Sequence, residues 1–159
     1  MPQFSDLPYA IHTGRELELM LTGAKPLAVF YESYPEEPCE EIIPENAFKP
    51  YVAAGTFEKR EFVELLDRPP PATHSHVKGN RYVIYAIPEE NWRIDAYIEM
   101  KVQSRVLGWS EEFERREGFL YGYEEWQTDA WLAHLLRRLQ AKNFPWLQNL
   151  AAKRHDENV

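Results

Sequence analysis

The sequence predicts an α+β fold: a small antiparallel sheet of about three strands, packed by helices from the C-terminal half. Three observations predict it. Apolar and aromatic runs of strand length occur near 26–31, 56–66 and 81–87. From Ser110 onward, apolar residues recur at helical spacing. Proline and glycine punctuate the chain between these stretches, as turns require. A length of 159 residues, 44% apolar and 28% charged, suits one globular domain over 1–159 with a real core. Residues 1–12 read as an extended arm and 155–159 as a frayed tail.

Pro2 and Pro8 disfavour helix in the arm. Thr13 followed by Glu16 matches a capping box, and Leu17, Leu19, Met20 and Leu21 give the helix behind it an apolar side. Gly23 suits its end. Pro26–Tyr31 reads as the first strand. A helix over Glu45–Ala54 fits between Pro44 and Gly55, although Pro50 falls inside it. Within the second strand, 56–66, Lys59-Arg60-Glu61 predicts a solvated face or an edge position. Asp67–His76 is a loop stiffened by three consecutive prolines, 69–71. Arg81–Ile87 is the clearest strand in the chain.

Trp92–Val102 carries conflicting signals. Its even positions, Trp92, Ile94, Ala96, Ile98, Met100 and Val102, are all apolar, which is strand-like alternation. Against that, Pro88, Glu89 and Glu90 suit a helix start, while Lys101, Arg105 and Gly108 suit a helix end. Helix is the reading preferred here. Ser110 is an N-cap with Glu111 and Glu112 in the first turn. Gly122 breaks that helix, and another runs from Tyr123 to about Lys142. A last short helix is expected over 146–153.

Charge narrows the function classes. Eighteen Lys and Arg stand against 26 Asp and Glu, a formal net charge of −8. Such a surface repels a phosphate backbone, which disfavours nucleic acid. One cysteine, Cys39, allows no internal disulfide and no cysteine metal cage, and its acidic neighbours make it a poor nucleophile. The N-terminus is not a signal peptide, and no apolar run approaches the ~20 residues of a membrane span. A cytoplasmic protein with no cofactor is expected: GxGxxG, Walker, GxSxG and HExxH motifs are all absent.

The strongest functional lead is the run from Glu32 to Glu45. It holds Glu32, Glu36, Glu37, Glu40, Glu41 and Glu45, and no Lys or Arg occurs between Lys25 and Lys49. Pro35, Pro38 and Pro44 keep the segment extended. A stiff, single-signed loop lowers the ordering cost of binding and steers a basic partner. The expectation is a non-enzymatic binding or regulatory protein, of inhibitor, immunity or adaptor type, meeting a basic protein through Glu36, Glu37, Glu40 and Glu41. The alternative is a small metal-assisted or acid–base enzyme around His74 and His76. That His-x-His spacing suits Zn²⁺ or Mn²⁺ if carboxylates arrive from elsewhere, but two exposed loop histidines are the commoner meaning. Arg93 and Asp95 interrupt an apolar region and are expected in ion pairs, with Glu117 or Asp129 as partners if buried. Trp126, Trp131 and Trp146, with Tyr121 and Tyr123, are expected in the core rather than around a pocket.

Overall fold

The computed structural model describes residues 6–67 and 76–141. The elements run α1 (Glu16–Leu21), β1 (Leu27–Tyr34), α2 (Glu45–Ala53), β2 (Glu58–Leu65), β3 (Gly79–Ala86), α3 (Trp92–Leu107), α4 (Glu111–Leu120) and α5 (Glu125–Ala141). The fold is α+β. The sheet is antiparallel in the order β1-β3-β2, so the last strand in sequence is the middle one in space. β3 takes the centre because it is the most apolar strand: Tyr82 through Ala86 are all buried. β2 is an edge, and its Glu58–Glu61 are exposed, as its charged middle predicts.

The two-residue period of the strands separates two cores. On one face, Leu27, Tyr82, Ile84 and Ala86 pack against Ile94, Tyr97 and Met100 of α3 and Leu120 of α4. On the other, Ala28, Val83 and Tyr85 pack against Met20 of α1, Ile43, Phe48 of α2 and Phe57. The Phe48 and Tyr85 rings stack with centroids 4.1 Å apart. Burying each large apolar side chain contributes about 1.5–3 kcal/mol.

Residues 92–102 are helical. The alternation is coincidental: Ile94, Tyr97 and Met100, spaced by three, are the buried set, while Trp92 and Val102 are 47% and 60% exposed. Ser110 caps α4, its Oγ accepting from Phe113 N at 3.2 Å. Gly122, at φ 86°, ends the turn after α4, and a Cβ there would lie 2.4 Å from Pro26 Cδ. Pro50 sits within α2. The carbonyl that loses its partner belongs to Asn46, an exposed residue.

Two expectations are corrected. The Thr13–Glu16 capping box does not form: α1 begins at Glu16, its N-cap position is Arg15, and no side chain caps it. β1 runs on to Tyr34, so Glu32 belongs to a strand rather than a loop. Glu45 opens α2. The segment between β1 and α2 is therefore 35–44, shorter than the acidic run.

The chain divides into two compact units. His12–Tyr123 holds the sheet and α1 to α4. The described residues of the second unit are 6–11 and 124–141. There Tyr9 meets Trp126 edge to face at 5.6 Å. No described helix is long and apolar enough to cross a membrane. The proline loop with His74, the helix expected over 146–153 and the tail at 155–159 lie outside the described residues.

Candidate functional site

Antiparallel register places Glu32 of β1 opposite Arg81 of β3. Arg81 is largely buried, and its guanidinium serves three carboxylates. Nη1 donates to Glu32 Oε1 at 2.5 Å, Nε to Glu61 Oε1 at 2.7 Å, and Nη2 to Glu45 Oε1. Lys59 Nζ adds a bond to Glu45 Oε2 at 2.5 Å. The second oxygen of Glu32 accepts from the backbone N–H of Cys39 at 3.0 Å. The planar fork of arginine suits such a shared site; a lysine's point charge does not.

The protonation equilibria follow this geometry. Hydrogen bonding to Arg81 holds the Glu61 carboxyl below the usual range, against the pull of burial. Burial by itself raises Glu45, but the bonds from Arg81 and Lys59 outweigh it and the net shift is downward. Arg81 is raised above its ordinary value, chiefly by Glu61.

The two ends of the acidic run are thus neutralised and fastened to the sheet. The middle is different. Glu36, Glu37, Glu40 and Glu41 are all exposed. Glu36 Oε1 lies 2.9 Å from His76 Nε2. Glu40 accepts from the Asn46 backbone at 2.8 Å. Glu37 and Glu41 make no ion pair or hydrogen bond among the described residues. A groove of about 440 Å³ opens beside Glu41, between the start of α1 and the start of α2.

The remaining candidates are placed as follows. His76 is exposed and bound to Glu36, and His74 lies outside the described residues. No group of three or more His, Cys, Asp or Glu that could hold a metal occurs among the described residues. Cys39 is half-buried and free. Arg93 pairs with Glu90 at 2.8 Å, donates to the Phe119 carbonyl at 2.7 Å, and lies against the Trp92 and Phe119 rings. Asp95 is well exposed and pairs with Arg60 of β2. Glu117 takes part in neither pair; it accepts from the Tyr121 hydroxyl at 3.0 Å. Trp126 is 48% exposed rather than a core residue.

Two clusters escaped the sequence reading. Lys25 is only 4% exposed, with Nζ 3.3 Å from His12 Nδ1 and 4.7 Å from the Tyr121 ring centroid. Burial lowers its pKa to about 8, against a smaller opposing pull from Glu16. His12 stacks on Tyr123 at 3.9 Å, and burial with the Lys25 charge lowers its pKa to about 4. On the α3 and α4 face, burial raises the Glu117 carboxyl among Tyr97 and Tyr121. Nothing local in sequence marks either residue; only the way the elements meet encloses them.

Comparison of the chain with protein-family models, curated proteins and solved structures finds no significant match.

Proposed function

We propose that the protein is a non-enzymatic, cytoplasmic binding or regulatory protein that meets a basic protein partner through Glu36, Glu37, Glu40 and Glu41. One observation supports the reading above the rest: Arg81 and Lys59 bind the two ends of the acidic run, while its exposed middle forms no ion pair with a lysine or arginine among the described residues. Arg81 and Lys59 fasten Glu32 and Glu45, while Glu37 and Glu41 face water without a counter-charge among the described residues. Fixing both ends of segment 35–44 reduces the conformational freedom lost on binding. The concentrated negative charge speeds encounter with a positive surface and makes affinity fall as salt rises.

The test is a capture experiment in two steps. Immobilised protein is first used at low and at high salt to identify a partner. That partner is then purified and titrated against the wild type and against a Glu36→Lys, Glu37→Lys, Glu40→Lys, Glu41→Lys variant. Direct binding by a basic protein, weakened by salt and abolished in the variant, is the expected result. Unchanged affinity in the variant would make the segment bystander surface.

A further inference from the structure

The groove beside the acidic segment has an apolar floor and a negative rim. Phe30 and Leu17, both partly exposed, form the floor, and the fully buried Phe48 supports Phe30 from beneath, edge to face with centroids 5.7 Å apart. Ile42 stands at the lip, 51% exposed, although its neighbour Ile43 is 1% exposed. On the rim, Arg15 is occupied by Glu18 at 2.8 Å. Glu16 and Glu41 make no ion pair among the described residues, so the rim keeps a net negative charge. A volume of about 440 Å³ falls in the range, roughly 300–1,000 Å³, in which small ligands are held.

We infer that this groove receives one bulky apolar side chain of the protein partner, from a segment in which lysine or arginine residues flank it. The inference rests on the basic-partner reading and deepens it. An apolar floor alone would accept any greasy group. The rim decides the flanks: Glu16, Glu18 and Glu41 stand against one cation, Arg15, and this net negative charge attracts cationic flanks of an inserted ring and disfavours an acidic neighbour. Ile42 gains a partner for surface that otherwise faces water. An aromatic anchor seated in a pocket, with surrounding contacts that exclude water, is the usual form of an interface hot spot. The exposed Glu36 and Glu37, outside the groove, supply steering rather than the anchor contact.

The experiment uses the full chain and three pentapeptides: one phenylalanine flanked by two lysines on each side, alanine in the same frame, and phenylalanine flanked by serines. Affinities are measured calorimetrically at low salt. The lysine-flanked phenylalanine peptide is expected to bind at least about tenfold tighter than either of the others. Ala47→Trp, on an exposed groove-lining position, should erase the phenylalanine-over-alanine preference while circular dichroism stays unchanged. Thr13→Trp is the second plug should Ala47→Trp misfold. Equal affinity of the phenylalanine and alanine peptides, or a preference that survives both plugs, overturns the inference. So does equal binding of the serine-flanked peptide, which would point to a neutral apolar ligand, or a protein dimer that dissociates on Ala47→Trp, which would put a second copy in the groove. Glu36→Lys with Glu37→Lys separates the two claims. A loss of affinity shared by both lysine peptides tests the acidic segment, whereas their ratio tests the groove.

Discussion

On one face of β3, Arg81 gathers the carboxylates of Glu32, Glu45 and Glu61. On the other face, the Glu117 carboxyl of α4 takes a hydrogen bond from Tyr121 and forms no ion pair among the described residues. The first arrangement favours the charged carboxylate. The second favours the neutral acid. Two faces of one sheet therefore respond to pH with opposite sign, and the contrast separates a network that fastens the ends of an acidic segment from a burial that only fills a core. Lys25 belongs with the second kind, since burial favours its neutral amine.

The largest effect is expected at Arg81. Arg81→Met leaves Glu32 buried without its counter-charge and should cost about 3–5 kcal/mol in urea unfolding at neutral pH. The folded-state pKa values of Glu45 and Glu61 lie below their unfolded ones, so the stability they contribute is present above the unfolded value. It is lost as pH falls through the folded values. The wild type should lose this contribution on acidification, and the variant should not. A loss under about 1 kcal/mol for Arg81→Met would remove the distinction between the two faces.

Glu117→Gln should act in the opposite direction. Its folded pKa is raised, so the folded state binds more protons between the usual carboxylate value and the raised one. Stability therefore falls as pH rises through that window. The variant should be more stable than the wild type at pH 7 and gain nothing below the ordinary carboxylate range, measured by the same unfolding assay. Lys25→Met should be neutral or mildly stabilising at pH 7, because a buried amine without a carboxylate in contact gives way to an apolar chain of similar length. With the Lys25 charge gone, the His12 titration followed by NMR should move upward from about 4. The smallest effect is expected at Glu37→Gln with Glu41→Gln. Stability should change by no more than about 0.5 kcal/mol, while affinity for a basic partner drops and becomes less sensitive to salt.

Much of the fold was legible. Ser110, Gly108 and Gly122 are local signals, and local backbone physics honours them. The apolar run at β3 announced a strand, and the structure puts it in the middle of the sheet, where two covered faces bury Tyr82 through Ala86 in turn. Over 92–102 the helix start and end signals proved the better guide than the even-position alternation, several of whose apolar side chains are simply exposed. The Thr13 box failed because a motif match does not fix where the first helical turn closes. The acidic segment was visible as composition, but its division into fastened ends and an open middle was not. Glu32 and Arg81 lie 49 positions apart, and Glu45 and Arg81 36.

By itself, then, the sequence determined the fold class, the strands and helices found among the described residues, the sign of the net charge and the exposed Glu36, Glu37, Glu40 and Glu41. These depend on near neighbours, period and composition, all of which are written along the chain. Only the tertiary structure decided which glutamates meet Arg81, that Lys25 and Glu117 are enclosed, and that a groove opens beside Glu41. Those depend on strand order and register, because a charge finds its partner across a sheet through space.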